Sequence, residues 1–267
     1  MTKSGNLASN LASNLERDGW LLLPHDPCVA GWAAAALPFA MAALADPVRQ
    51  GRWLRHGGTW FVGLDALPNA ADGSIGGVPL AGGWRDHVGW TGPWHQAQLS
   101  VVYPGYPGRD ATDTDAAHRF RLTRDAAHLD GVLAVGPAKR RFLREPHAFV
   151  LGIGLNAVGP GASPLVVWDG SQRVMGAALS DALAGVPAAD WSGVDLTEAY
   201  QAARAQVFAS CPRRIIAPGP GQAVLVHRLA VHGVAPWTPG AVAPAEGRIV
   251  AYFRPVLADP AGWLAAV

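Results

Sequence analysis

A chain of 267 residues, half of them apolar and only 15% charged, has ample material for a buried core and does not have the composition of a disordered polymer. Its 21 basic and 20 acidic residues leave a net charge of +1, which argues against a polyanionic partner such as nucleic acid and favours a small-molecule ligand. The two cysteines, Cys28 and Cys211, stand far apart without metal-type spacing, so no disulfide framework is expected and a reducing cytoplasm is the default location.

The length fits one decorated domain over 1–267, with a helical region at about 6–45 packed on a barrel. The repeated NLAS, NLAS, NLER opening places Leu7, Leu11 and Leu15 on one helical face. GWLLLP at 19–24 reads as a brief buried strand. The Ala-rich run 32–45 reads as a buried helix interrupted or kinked at Pro38, and it is too short to cross a bilayer core of roughly 30 Å. No membrane span or targeting segment is expected.

From Trp53 onward, short runs rich in Val, Leu, Ile and Trp are separated by GSIGG, YPGYPG, GPGAS and APGPG. That punctuation predicts strands at 98–103, 131–135, 148–155, 165–168, 223–227 and 248–254, with one inserted helix at about 196–209. The fold class expected is mainly β with flanking helices, a jelly roll or related barrel.

Nine histidines are present, and spacing sorts them. In an extended segment His128 and Asp130 point to one face and could grip one ion. The third ligand must come from a distant strand, and His232 in VLVHRLAVHGVAPW is the best candidate. Two imidazoles and one carboxylate on one face of an ion leave positions open for a co-substrate and O2, the arrangement of non-haem Fe(II) oxygenases. His227, five residues earlier, would face the other side of an uninterrupted strand. Arg248 and Arg254 share a strand face, with Arg254 nearer the rim. Asp125 suits a turn cap better than a metal. His95, Gln96 and Gln98 are candidates for lining the pocket, and Lys139, Arg140, Arg141 and Arg144 read as a solvated face at helical spacing. Trp94, Trp168 and Trp237 lie beside these motifs and suit core packing.

The order DAAHLDG, SPLVVWDGSQ, VLVHRLAVHGVAPW, EGRIVAYFRP, preceded by DGWLLLP, resembles the phytanoyl-CoA dioxygenase-like branch of the 2-oxoglutarate-dependent oxygenases over about 18–255. The resemblance implies a double-stranded β-helix, cupin-like, with Fe(II) on His128, Asp130 and His232. It also implies 2-oxoglutarate anchored by Arg248, with Gln98 on the co-substrate side, and O2 as oxidant. The implied reaction hydroxylates an unactivated C–H bond and releases succinate and CO2. Retention of Asp130 points to hydroxylation, because related halogenases carry a small residue there. Two departures stand out. Asp169-Gly170-Ser171-Gln172 replaces the PGSH turn common in that branch, and the interval from His232 to Arg248 is long. Rival readings are a cupin-like binding protein without oxygenase activity and a metal-dependent hydrolase or isomerase, which would need a general base beside the metal.

Overall fold

The computed structural model describes residues 15–265; the expected leucine-rich opening helix lies outside them apart from Leu15, which is buried in a helical turn at 15–18. In chain order the elements are β1 (Trp20–Leu22), α1 (Pro27–Ala45), α2 (Pro47–Trp53), β2 (Leu54–Arg55), β3 (Trp60–Gly63), β4 (Gln98–Val102), α3 (Asp115–Arg124), β5 (Val132–Val135) and β6 (Arg140–Leu143). They continue with β7 (Phe149–Gly154), β8 (Leu165–Trp168), α4 (Ser171–Ala182), α5 (Thr197–Ser210), β9 (Arg213–Ile216), β10 (Ala223–His227), β11 (His232–Val234) and β12 (Arg248–Phe253).

A seven-stranded sheet in the order β1-β10-β7-β12-β4-β3-β2 faces a three-stranded sheet in the order β11-β8-β9, and every strand pairing is antiparallel. This is the expected mainly β, double-stranded β-helix architecture. Side chains alternate across each strand, so one strand serves two cores. On β10, Val224 and Val226 join Val150, Leu165, Val167 and Ile216 between the two sheets, while Ala223 and Leu225 face outward. On β12, Ile249, Ala251 and Phe253 pack outward beneath α1, which leaves Arg248, Val250 and Tyr252 on the inner face. Gly152 makes room there, because a Cβ at that position would lie 2.7 Å from the Tyr252 ring. Outside the smaller sheet, Val166 and Trp168 pack with Met175, Leu179, Tyr200 and Val207 of α4 and α5.

The helix at the expected Ala-rich run begins earlier, at Pro27, where Asp26 accepts the Cys28 N–H at 2.8 Å as N-cap and proline takes the first turn. It runs continuously through Pro38 instead of breaking there. Pro38 and Ala34, four residues back, are both exposed, so the carbonyl that proline leaves unpaired can be hydrated. By length and composition α1 could cross a membrane, but in this fold Trp32, Ala33, Ala36, Ala40 and Ala43 are buried in the outer core of the large sheet. The basic run at 139–144 is a correction. It is the turn and second strand of the β5–β6 hairpin, not a helical face, with Lys139 at φ 50° in the turn, Arg140 paired with Asp195 and Arg141 stacked 5.0 Å from the Tyr200 ring.

Candidate metal centre

His128 lies just after α3, in an extended segment that pairs antiparallel with β11 through a His128–His232 bridge, with backbone hydrogen bonds of 2.8 and 3.0 Å in the two directions. Gly233 permits that approach, because a Cβ there would press into the Asp125 carbonyl oxygen. The bridge brings the two imidazoles together with centroids 4.7 Å apart and planes tilted by 55°, and the next same-face residue of the first segment, Asp130, completes the group. Asp130 Oδ1 is 3.2 Å from His128 Nε2 and Oδ2 is 3.4 Å from His232 Nε2. One ligand atom from each residue lies within 4.8 Å of the others.

Tautomers are set by the backbone. His128 Nδ1 donates to the Ala126 carbonyl at 3.0 Å and His232 Nδ1 donates to Ala230 at 2.9 Å, each reaching the residue two positions back. A carbonyl can only accept, so each neutral ring carries its proton on Nδ1 and turns the lone pair of Nε2 toward Asp130. Two nitrogen lone pairs and a carboxylate converging in this way repel one another unless a cation lies among them. The donor set therefore fits a divalent metal, and the backbone carbonyls supply the outer support typical of ligating histidines. Burial, at 8% exposure, would raise the Asp130 carboxyl, but Arg254 and then His232 and His128 outweigh it and hold the group well below the usual carboxylate range. Burial lowers His232, and the Asp130 charge more than reverses it.

A cavity of about 270 Å³ opens on the three residues, walled by Trp60, Val62, Leu64, Ser100, Tyr106, Val150, Val226 and Tyr252 and carrying Gln98 and Arg254. Arg254 Nη1 is 3.5 Å from both Asp130 oxygens, and its Nη2 donates to Gln98. Arg248 is different. It is 4% exposed on the inner face of β12, and its Nε and Nη2 are buried without a hydrogen-bond partner among the described residues. Arg213 uses that same edge, Nε and Nη2, to hold both Asp125 oxygens at 2.7 Å each. The unpartnered edge of Arg248 is thus shaped for one carboxylate.

The remaining expectations sort clearly. His227 ends β10, and a turn, not a continuous strand, separates it from His232. Its Nδ1 accepts the Leu229 N–H at 3.0 Å, and burial followed by the Arg228 charge lowers it to about 3. Asp125 sits at the left-handed end of α3 and is committed to Arg213. Gln98 lines the cavity. Gln96 is exposed, and His95 faces a neighbouring depression with Nε2 accepting the Arg254 backbone N–H at 2.7 Å. The turn replacing PGSH is structural: Asp169 accepts from Trp20 and Arg214, Ser171 Oγ accepts the Val231 N–H at 2.9 Å, and Gln172 donates to the Glu16 carbonyl. Sequence reading missed Trp60, Tyr106, Tyr252 and the contact of Arg254 with Asp130. Tyr106 was hidden because it sits inside YPGYPG, a stretch with the composition of a turn.

No family model matches the chain and no curated protein matches it. Among solved structures it is similar to the non-haem α-ketoglutarate-dependent epimerase SnoN of nogalamycin biosynthesis, with a TM-score of 0.51 and 14% identity over 94% of this chain and 83% of that one. It also matches apo EctD from S. alaskensis, with a TM-score of 0.49 and 19% identity over 96% of this chain and 79% of that one. AviO1 from Streptomyces viridochromogenes Tue57 matches with a TM-score of 0.44 and 16% identity over 95% and 96%. At 14% identity the likeness to SnoN is one of fold alone, the double-stranded β-helix, and the phytanoyl-CoA dioxygenase-like branch has no matching model behind it.

Proposed function

We propose that the chain is an Fe(II)- and 2-oxoglutarate-dependent dioxygenase of the phytanoyl-CoA dioxygenase-like kind, hydroxylating an unactivated C–H bond of a small organic substrate. His128, Asp130 and His232 would hold iron, and Arg248 would bind the distal carboxylate of 2-oxoglutarate. When bound, iron supplies O2 activation coupled to oxidative decarboxylation of the 2-oxo acid to succinate and CO2.

The observation that carries this reading is the pairing of a lone-pair trio with a buried arginine edge that lacks a carboxylate. A binding barrel gains nothing from an uncompensated buried guanidinium, which costs stability until an anion meets it. A hydrolase would need a general base, and the three candidate ligands are the only His, Asp or Glu among the described residues lining the cavity. The chain's own residues have clear tasks. The Ala126 and Ala230 carbonyls orient the rings, Arg254 keeps Asp130 ionised and aimed, and the walls of Val62, Leu64, Val150 and Val226 exclude water from the reacting carbon. The SnoN-like fold accommodates an epimerase as well, so hydroxylation rests on the retained Asp130 and not on the fold.

Purified protein should convert 2-oxoglutarate to succinate in a manner requiring both Fe(II) and O2, and Asp130→Ala should abolish it. Succinate formation at the wild-type rate in Asp130→Ala would overturn the assignment.

A further inference from the structure

The cavity over the three candidate ligands is about 270 Å³, and the metal and the 2-oxo acid must both fit inside it. Clefts that take a whole small organic molecule are roughly 300–1,000 Å³, so a substrate has to extend beyond this one. A second depression of about 490 Å³ adjoins it, and Leu64 and Arg254 line both. The depression is built from four chain segments: Leu64 and Asp65 after β3, Trp94 and His95 before β4, Glu145 and His147 between β6 and β7, and Arg254 to Val256 after β12. A molecule lying across Leu64 and Arg254 reaches from one space into the other.

Two carboxylates line the depression without a cation of their own. His95 Nδ1 lies 3.6 Å from Asp65, but that nitrogen donates to the Gln96 carbonyl at 2.6 Å and Nε2 accepts the Arg254 backbone N–H. The ring thus carries one proton and no charge, and Asp65 accepts no hydrogen bond among the described residues. His147 Nε2 donates to Glu145 Oε2 at 3.2 Å, which holds that carboxyl below the usual range against burial. His147 Nδ1 is buried with no acceptor among the described residues, so this ring too adds no charge. Arg254 is the only arginine or lysine among the described residues lining the depression. Its charge reaches Glu145, but its guanidinium is directed at Asp130 and Gln98 in the metal cavity. The rest of the wall is carbon. Leu64 is 46% and Val256 49% exposed, large apolar side chains left open beside the two acids.

We propose that this depression receives the part of the substrate remote from the oxidised carbon, and that the substrate is an amphiphilic amine whose ammonium group is held by Asp65 and Glu145. Its hydrocarbon part passes over Leu64 towards His128 and Asp130. The position of the oxidised carbon rests on the oxygenase reading, whereas the preference for a cation rests on the residues of the depression themselves.

The test is calorimetric titration of the purified protein at neutral pH with three probes of one carbon frame: phenylbutylamine, phenylbutanol and phenylbutanoate. The amine should bind roughly ten-fold tighter than the alcohol, the effect of a hydrogen bond between charged groups, and the carboxylate should bind most weakly. Asp65→Asn with Glu145→Gln removes both charges and keeps both shapes. Asparagine tolerates the left-handed backbone of Asp65, at φ 50°, and glutamine can still accept from His147. In that double variant the amine and the alcohol should bind within about two-fold of each other. Binding by none of the probes, an amine no tighter than the alcohol in the wild type, or an amine preference kept in the double variant would overturn the proposal. After anaerobic addition of Fe(II) and 2-oxoglutarate, the amine should also shift the visible band of the chelate. A band that a bound amine leaves unmoved would set the depression apart from the substrate path and refute its role. Absence of the chelate itself counts against the oxygenase reading alone, because the calorimetric comparison needs no added iron.

Discussion

Replacing Arg248 by methionine should move stability and co-substrate affinity in opposite directions. The side chain is 4% exposed, and Nε and Nη2 lack partners, so the ligand-free protein carries a buried cation whose desolvation is not offset by a counter-charge. Methionine has a comparable unbranched stem and no polar atoms to strand. Exchanging buried charged groups for apolar ones of similar volume is commonly neutral or stabilising by about 1–4 kcal/mol, and the unpaired state of Arg248 favours the stabilising side. Removing one partner of a desolvated charge pair weakens binding by roughly 2–5 kcal/mol, which is about 30-fold to several thousand-fold in Kd. Urea unfolding of the metal-free protein reads the first quantity, and anaerobic titration of the Fe(II) protein with 2-oxoglutarate reads the second. A variant that is less stable by more than about 1 kcal/mol while binding 2-oxoglutarate normally would refute the reasoning. It would mean that Arg248 is a structural residue whose partner is supplied by the protein.

Gly233→Ala should displace β11 from the segment carrying His128, because the added methyl meets the Asp125 carbonyl; a loss of roughly 1–3 kcal/mol in urea, with weaker iron binding by metal analysis, is expected. Arg254→Ala should weaken Fe(II) by roughly 10–100-fold through loss of its support of Asp130, while 2-oxoglutarate affinity at saturating iron changes little, as competitive chelator titration would measure. His227 is held near 3 in the fold and titrates near 6.5 when unfolded, so its contribution is intact above about pH 6.5 and is lost as pH falls towards 3. His227→Asn can still accept from the Leu229 N–H, and its stability should decline by about 2 kcal/mol less than that of the wild type between pH 7 and 5 in urea midpoints. An equal decline in both proteins would contradict that account of the buried ring.

The alternation rules that make strands readable also made most of this site readable. β8 and β10 match their expected bounds at 165–168 and 223–227, and β12 differs from 248–254 only in ending at Phe253, because each is a short buried run bounded by Gly or Pro. His128 and Asp130 meet because i and i+2 share a face, and His232 joins them through a bridge that needs Gly233. What pattern could not carry was anything decided by a distant partner. The expectation that His227 and His232 face opposite sides assumed an uninterrupted strand, whereas a turn divides the two. His232 lies beside His128 because β11 returns to the His128 segment. The second half of the β5–β6 hairpin looked helical because Lys139, Arg140, Arg141 and Arg144 fall at both periods, whereas its first strand was expected at 131–135. Short edge strands such as β2, β9 and β11 are too brief to show alternation. The difference between Arg248 and Arg254 depends on which finds a carboxylate inside the fold, and even spacing along one strand is silent on that.

The central claim is that His128, Asp130 and His232 hold an iron to which 2-oxoglutarate binds. Anaerobic addition of Fe(II) and then 2-oxoglutarate to the wild type, His227→Ala and His232→Ala tests it most directly. The account predicts one equivalent of iron and a visible charge-transfer band in the wild type and in His227→Ala, and neither in His232→Ala. A band that persists in His232→Ala, or that is absent from folded, iron-loaded wild-type protein, would contradict it.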